Sequence, residues 1–169
     1  RDQTSLGQHL DISLLDSQVS WLSYVAQSYL ISNKIPKKIG NDHPSIVPYQ
    51  TVMAKDGLMV LAIANDRQFK NFCDFAKLDN LYKNPKFKNN SSRVKNRDEL
   101  KKVLESKIKT KTINEWVSGL IKVNVPCGPI NNIKKVFEDP QIKYRKMKIS
   151  MKHKKSKNGK LDLISNPIK

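Results

Sequence analysis

The spacing of apolar and polar positions predicts a long helix near the start of the chain. Between residues 13 and 32 apolar residues recur at intervals of three and four, and polar residues fill the opposite stripe. The apolar positions are Leu15, Val19, Leu22, Ala26 and Tyr29. Ser13 and Asp16 have the spacing of a capping pair, so Asp16 is interpreted as a helix-start residue rather than a catalytic carboxylate. The alternating residues 8–12 predict the end of a strand.

The next pattern indicates a β-hairpin. The runs YQTVMA and LMVLAIA flank Asp56-Gly57, a pair whose members both tolerate the positive φ of a tight turn. The second run is apolar on both faces, which predicts a central strand.

Three helices are predicted between residues 65 and 123. Asn65 or Asp66 caps the first, and Thr112 with Glu115 forms a capping box at the start of the third. The polar segment 84–93 is rich in turn-forming residues and precedes the second helix. The expected buried positions are Phe69, Phe72, Cys73, Ala76, Leu100, Val103, Leu104, Ile108, Trp116, Leu120 and either Ile121 or Val123.

The following segment predicts a turn and a short helix. In VPCGP two prolines remove backbone donors, and Gly128 permits a tight turn. The short helix has Ile133, Val136 and Phe137 on one side and ends near Asp139-Pro140.

A second hairpin is predicted near the end of the sequence. Residues 146–153 alternate strictly, and Asn158-Gly159 turns this strand into KLDLI. His153 continues the inward face and is expected at the edge of a core. The lysines between 146 and 160 form the solvated face and tip, where they keep the edge from pairing with other chains.

The formal charge of +17 raises the possibility of a nucleic-acid-binding module. The excess comes from 27 lysines and only 5 arginines, whereas base readout favours the planar arginine fork. Aromatic residues do not interleave with the basic run, as a stacking platform requires. Lysine, isoleucine and asparagine share A/T-rich codons, so a biased genome is the simpler explanation.

Composition also bears on the cellular location of the protein. The longest apolar run, residues 58–64, is far shorter than the ~20 residues of a spanning helix. Cys73 and Cys127 lie too far apart to suggest a disulfide framework or a metal-ligand pair, which favours the reducing cytoplasm. The sequence begins with Arg1 and is interpreted as part of a longer protein.

The residues alone offer few candidates for chemistry. No phosphate-binding glycine loop or zinc-binding motif is visible, and three scattered histidines predict no metal site. Cys127 lies in a turn before a helix, where a thiol pKa can be lowered, but packing beneath the turn is the simpler interpretation. His43 lies in the irregular segment GNDHPSIVPYQ, which begins at residue 40, and loops of this kind often hold functional groups.

Several segments, taken in order, resemble the family III CoA-transferases, also called the CaiB/BaiF family. They cover almost the whole chain, and their ordered set is far more specific than any single one. They are RDxTxxGQxLDISLLD from residue 1, GNDHPxxxPY from 40, DG at 56–57, ND at 65–66 with Gln68-Phe69, NPKFxxNxxRVxNRxEL from 84, EW at 115–116, VPCGPI from 125, EDPQ from 138 and NPIK from 166.

The resemblance implies an α/β fold with a Rossmann-like large domain and a smaller α/β domain built from β-hairpins and several helices. Residues 1–34 would be a strand edge and long helix of the large, CoA-binding domain. Residues 35–47 would be the crossover linker and active-site loop, 48–145 the small domain, and 146–169 a hairpin that returns towards the large domain. Two chains of the family interlock as a homodimer.

The resemblance also implies the activity. Family members move coenzyme A between carboxylic acids through an aspartyl-CoA thioester, with acyl-CoA as substrate and no permanently bound cofactor. The nucleophilic aspartate would lie upstream of Arg1, so this chain is expected to hold no catalytic residue of its own and to be inactive alone. Gly40, Asn41, Asp42, His43 and Pro44 would bind substrate in a loop that closes over the thioester and directs N–H groups at the oxyanion. Leu14 would contact coenzyme A.

One departure from the family pattern and one match to its racemase branch qualify this expectation. In the formyl-CoA:oxalate branch the loop is a run of glycines, whereas here only Gly40 remains, which argues against oxalate chemistry and a freely flipping loop. The racemase branch uses an acid at the position of Asp66, the one catalytic candidate in this chain. An acyl-CoA racemase or lyase-like member therefore stays an alternative, although the NPKFxxNxxRVxNR and VPCGPI segments resemble the transferases more closely.

Overall fold

A computed structural model describes residues 4–168, so Arg1 to Gln3 and Lys169, which belong to the first and last quoted motifs, lie outside the described part. The fold is mixed α/β, with small antiparallel sheets and several short helices. The chain divides into two compact units, one extending to Gly40 and the other beginning at Asn41.

In the described part of the first unit the regular elements are helices α1 (Leu14–Trp21) and α2 (Ser23–Ser32). The side chain of Ser13 accepts a hydrogen bond from the Asp16 N–H at 3.3 Å, so the predicted cap is confirmed. The prediction of one continuous helix was wrong, because Ser23 has a φ of +47° and interrupts it. Serine hydroxyls in α1 hydrogen-bond carbonyls of the preceding turn, an arrangement that bends helices.

The apolar side chains of the first unit remain exposed. Neither helix contains a buried residue, and Leu14, Trp21 and Ile31 are more than three-quarters exposed. The predicted strand over residues 8–12 was wrong: this stretch is irregular, because a strand needs a hydrogen-bonded neighbour and none of the described residues pairs with it.

The second unit is built on a three-stranded antiparallel sheet. Strands β1 (Tyr49–Ala54) and β2 (Gly57–Ala62) form the predicted hairpin, in which Ala54 pairs with Gly57 across a turn. The third strand, β3 (Cys127–Pro129), pairs with β2 on its other side, so β2 is central as predicted. The expectation that VPCGP forms only a tight turn was wrong, because prolines are tolerated on an edge strand.

Five helices follow β2 before β3: α3 (Asp66–Ala76), α4 (Asp79–Lys83), α5 (Asn90–Lys95), α6 (Arg97–Ile108) and α7 (Ile113–Lys122). The Asn65 side chain caps α3 by accepting from the Gln68 N–H at 2.9 Å, and the capping box of α7 is complete. Hydrogen bonds from the Thr112 backbone N–H and hydroxyl hold the pKa of Glu115 below its usual range.

The core of this unit confirms most of the predicted buried positions. Val103 is only half-buried, and of the two alternatives Val123 packs against the core whereas Ile121 is 59% exposed. Trp116 is fully buried, and its indole N–H donates to the Ile108 carbonyl at 2.7 Å. The core residues are Val47, Val52, Ala54, Met59, Leu61, Ile63, Phe69, Phe72, Cys73, Ala76, Phe87, Leu100, Leu104, Ile108, Trp116, Leu120 and Val125.

Helix α5 lies inside the segment predicted to consist of turns, so that prediction was incomplete. The Asn89 side chain caps it by accepting from the Ser92 N–H at 2.8 Å. A helix this short gains little from its own hydrogen bonds and depends on tertiary contacts, here those of the buried Arg93.

The last part of the unit contains α8 (Ile133–Glu138), α9 (Pro140–Tyr144) and a hairpin of β4 (Lys148–Lys152) and β5 (Lys160–Ile164). Val136 and Phe137 are half-buried, but Ile133 is exposed. One hairpin face consists of Ile149, Met151, Leu161 and Leu163, each 39–54% exposed.

The expectation for His153 was wrong. It lies in the exposed loop 153–159, because the strand pairing ends at Lys152. Its backbone N–H donates to the Gly159 carbonyl at 2.9 Å, and Gly159 adopts a φ of +65°.

Candidate functional site

The segment from Asn41 to Pro48, here called the crossover segment, has no regular secondary structure. Its backbone groups therefore need partners outside a helix or sheet ladder. Most of those partners are side chains of α5 and α6, so the segment is fixed by residues that lie more than forty positions further along the chain.

The end of the crossover segment is held by Arg93, which is fully buried. Its Nε donates to the Val47 carbonyl at 2.6 Å, Nη1 to the Phe87 carbonyl at 3.1 Å and Nη2 to Asp66 Oδ1 at 2.8 Å. The guanidinium also stacks over the Phe69 ring, 4.4 Å from its centroid. A buried charge is tolerated when it is paired and hydrogen-bonded, and all three nitrogens meet this condition.

The beginning of the crossover segment is held by Arg97. Its Nη2 donates to the carbonyls of His43 and Pro44, each at 2.9 Å. Its Nη1 is buried without a hydrogen-bond partner among the described residues. One turn further along α6, Lys101 lies 3.7 Å from the Asp42 carboxylate. Arg93, Arg97 and Lys101 follow at intervals of four, and we call them the basic stripe.

Asn90 bridges the middle of the crossover segment. Its Nδ2 donates to the Ser45 carbonyl at 2.8 Å, and its Oδ1 accepts from the Val47 N–H at 3.1 Å. This pair of bonds satisfies both a donor and an acceptor of the irregular backbone, so the amide holds the segment at two points.

His43 is oriented by two neighbours. Its ring stacks on Tyr49 with the centroids 5.3 Å apart, and its backbone N–H donates to the Tyr49 carbonyl at 2.9 Å. Its Nδ1 accepts from the Ser45 N–H at 3.2 Å. Because Nδ1 is the acceptor, Nε2 carries the proton when the ring is neutral.

The structure brings three of the five predicted substrate-binding residues together beside the basic stripe. Asp42 and His43 are half-buried and Pro44 is exposed, whereas Asn41 is exposed at the start of the segment. Gly40 and Leu14 belong to the first unit: Gly40 has a φ of +66°, and Leu14 is 83% exposed on α1.

Asp66, the candidate catalytic acid, occupies the first turn of α3. Its carboxylate is 54% exposed and is the ion-pair partner of Arg93. Arg93 therefore joins Asp66 to the crossover segment through the same guanidinium. This ion pair gives Asp66 a structural role, which the sequence did not suggest.

Sequence analysis missed Asn90, Arg93, Arg97 and Lys101 as parts of the site. The first three lie within the segment NPKFxxNxxRVxNRxEL, and the spacing of the basic stripe was a usable signal. Residues four apart share one helix face, so three cations at this interval predict a charged line, although in the structure Arg93 lies on α5 and the other two lie on α6. The local sequence does not reveal which residues these cations contact.

The cysteines show no sign of activation. Burial raises the pKa of the Cys73 thiol to about 12, and burial also raises the pKa of Cys127. A catalytic thiol needs a lowered pKa, so these environments favour packing roles for both residues. Within residues 4–168 no group of three or more His, Cys, Asp or Glu side chains is placed to hold a metal ion. No helix in the same range is long and apolar enough to cross a membrane.

Comparison with known proteins identifies relatives of this chain. The sequence model described as CoA-transferase family III matches residues 1–169. Human succinyl-CoA:glutarate CoA-transferase is 40% identical over 151 residues, which are 89% of this chain and 34% of the human protein. Acetyl-CoA:oxalate CoA-transferase of Acetobacter aceti is 31% identical over the full 169 residues, or 42% of that protein.

A solved structure extends the comparison to the fold. A CAIB/BAIF family protein from Brucella suis superposes with a TM-score of 0.78 at 39% identity, covering all of this chain and 43% of that one. The chain thus spans 34–43% of the length of these relatives. The family match along all 169 residues shows that the chain belongs to CoA-transferase family III.

Proposed function

We propose that this chain forms part of an enzyme that transfers coenzyme A from an acyl-CoA thioester to a carboxylic acid. The observation that carries the proposal is the family match along all 169 residues, with 40% identity to the human succinyl-CoA:glutarate enzyme. Several relatives carry names that pair succinyl-CoA with a dicarboxylic acid. Succinyl-CoA is therefore the donor to test first, and glutarate is the first acceptor.

The proposed reaction uses an aspartate upstream of Arg1. Its carboxylate attacks the thioester carbonyl, so that a mixed anhydride forms and the coenzyme A thiolate leaves. The thiolate then attacks the aspartyl carbonyl, which releases the donor acid and leaves an aspartyl-CoA thioester. The acceptor carboxylate repeats the two steps in reverse, and acyl-CoA departs while the aspartate is regenerated.

The crossover segment is proposed to bind the reacting groups. The backbone N–H groups of His43 and Ser45 already have acceptors, and Pro44 has no N–H to donate. Of the other amides of the segment, those of Asn41 and Asp42 at its start are proposed to donate to the oxyanion. Donors held in place before the reaction stabilise the developing charge without reorganising.

Two further contacts are proposed from the resemblance to the family. Leu14 is proposed to contact coenzyme A, and two copies of the intact protein are proposed to form an interlocked dimer. The free cysteines Cys73 and Cys127 suit the proposed cytoplasmic location.

The test uses the intact gene product with succinyl-CoA and a panel of mono- and dicarboxylic acids. Mass spectrometry of the products is expected to show glutaryl-CoA or another acyl-CoA formed in step with free succinate. Incubation with succinyl-CoA followed by borohydride is expected to reduce the aspartyl thioester and to modify a peptide upstream of Arg1. Hydroxylamine should react with the same thioester and so inactivate the enzyme.

Other outcomes identify the alternatives. Exchange of an α-proton of a 2-methylacyl-CoA with deuterium oxide, without acyl transfer, would indicate a racemase. Salt-sensitive binding to DNA or RNA with no reaction on any thioester would indicate a nucleic-acid-binding module.

A further inference from the structure

The basic stripe follows the crossover segment in reverse order. Arg93 contacts the Val47 carbonyl, Arg97 contacts the carbonyls of His43 and Pro44, and Lys101 approaches Asp42. Arg93 lies on α5, and Arg97 and Lys101 lie one turn apart at the start of α6, so the three cations reach most of the segment from two consecutive helices. The stripe therefore contacts the segment at three places along its length.

The three members of the stripe differ in what they hold. Arg93 also donates to the Phe87 carbonyl and to Asp66, so its loss would disturb more than the segment. Lys101 and Asp42 are partly exposed and 3.7 Å apart, and such pairs contribute little. Arg97 is half-buried, and its guanidinium donates to two carbonyls of the segment.

Arg97 reaches His43 through one peptide unit. The Pro44 carbonyl and the Ser45 N–H belong to the same planar peptide and point in opposite directions. Arg97 Nη2 holds the carbonyl, and the N–H at the other side donates to His43 Nδ1. Fixing the carbonyl therefore also fixes the donor that selects the tautomer of the imidazole.

From this geometry we propose that Arg97 is a positioning residue for His43, and that His43 donates a hydrogen bond from Nε2 to a carboxyl or thioester oxygen of the substrate. This inference rests on the proposed function, because it assigns a role within the same site. Arg97 acts through the Pro44-Ser45 peptide and does not itself touch the reacting atoms. An imidazole held in one tautomer presents a donor whose direction is set before the substrate arrives.

The experiment compares Arg97→Met and Arg97→Lys in the intact gene product, with Arg67→Met at an exposed arginine of α3 as the control. Methionine keeps much of the side-chain volume but has no donor, whereas lysine can reach the same carbonyls with one ammonium. Three quantities are measured: amide exchange at Ser45 and Val47, the ¹⁵N shifts of His43, and kcat and KM for CoA transfer.

We expect Arg97→Met to raise amide exchange at Ser45 about tenfold, the scale of one hydrogen bond to a charged donor, and to leave Val47 unchanged. Val47 is the internal control because Asn90 and Arg93 hold it independently. The ¹⁵N shifts of His43 should move from the Nε2–H tautomer towards a mixture. We expect kcat to fall about tenfold with KM changed less than about threefold, and Arg97→Lys to restore most of the loss.

Two results would overturn the proposal. One is an Arg97→Met variant in which the amide exchange at Ser45 and the tautomer of His43 are those of the wild type. Arg97 would then not orient the imidazole. The other is a changed tautomer with unchanged kcat, because His43 would then not serve the reaction. A wild-type protein without transferase activity would refute the proposed function and, with it, the role of His43 in transfer. The exchange and ¹⁵N measurements would still decide whether Arg97 positions the ring.

Discussion

At the scale of the residue, the stability of the site depends on how Arg93 is satisfied. Its three nitrogens donate to the Val47 carbonyl, the Phe87 carbonyl and Asp66, and its flat face lies against Phe69. An uncompensated buried group costs more than the net gain of a formed hydrogen bond. Removing the guanidinium would leave two buried carbonyls without partners, so Arg93 stabilises the unit through groups that lie far apart in sequence.

The first prediction concerns Arg93→Met. We expect the free energy of unfolding to fall by about 3–5 kcal/mol, the range for removing one partner from a buried charged network. Chemical denaturation of the intact gene product measures the change. Arg67→Met, at an exposed position, should shift the same quantity by less than about 0.5 kcal/mol. Equal effects of the two substitutions would contradict the assigned role of Arg93.

The second prediction concerns Asp66, which we expect to serve as the counterion of Arg93 rather than as a catalytic acid. Asp66→Asn keeps an oxygen that can accept from Nη2 and removes the charge. Because the exchange leaves the fully buried Arg93 charge without its counterion but keeps the hydrogen bond, we expect a loss of about 1–3 kcal/mol in stability and a kcat within about twofold of wild type. A kcat reduced a hundredfold or more with unchanged stability would instead identify Asp66 as catalytic.

At the scale of the element, close packing between α3 and α7 decides which residues each helix can accept. Phe75 of α3 meets the Trp116 ring edge-on at 5.7 Å, and its ring lies directly over Gly119 of α7. A methyl group at Gly119 would collide with that ring. The glycine is therefore required by the approach of a neighbouring aromatic side chain, although glycine normally weakens a helix interior.

The third prediction follows from this contact. We expect Gly119→Ala to lower the free energy of unfolding by about 1–3 kcal/mol, because the ring must move against Trp116 to admit the methyl group. Gly128→Ala is the matched control, since a Cβ there meets nothing within 4 Å. Thermal unfolding of both variants measures the difference. Stabilisation by Gly119→Ala would mean that helix propensity outweighs the collision.

At the scale of the whole molecule, the core and the exposed apolar surface occupy different parts of the chain. Every buried apolar residue lies between Val47 and Val125 in the described residues. Helices α1 and α2 and the β4–β5 hairpin carry many of the exposed large apolar side chains. Apolar surface of this extent favours association with other surfaces.

The fourth prediction compares two polypeptides. The 169-residue chain expressed alone should self-associate and bind a hydrophobic dye, because its apolar helices and hairpin face are exposed. Residues 41–145 alone should be monomeric and unfold cooperatively, since they contain the whole described core. Analytical ultracentrifugation and denaturant titration test both statements. A monomeric full chain that binds no dye would contradict the first, and a non-cooperative shorter polypeptide the second.

Sequence patterns predicted the elements whose signals are local. The β1–β2 hairpin, the cap at Asn65, the capping box at Thr112 and the apolar face of α3 were confirmed, because each depends on residues within a few positions of one another. The errors share a different origin. Ser23 interrupts the first predicted helix, β3 forms from a proline-rich stretch, and His153 lies outside its predicted strand. Each case was decided by a pairing partner or a backbone interruption, which the periodicity of apolar residues does not reveal.

The sequence by itself determined the family, through motifs whose order along the chain is specific, and it determined the apolar faces that build the core. It also indicated that the segment GNDHP, which begins at residue 40, is a candidate functional segment. Only the tertiary structure decided how that segment is held, because Asn90, Arg93, Arg97 and Lys101 reach it across more than forty residues. An irregular backbone carries no periodic signal, and its conformation is fixed by whichever donors folding brings to its carbonyls.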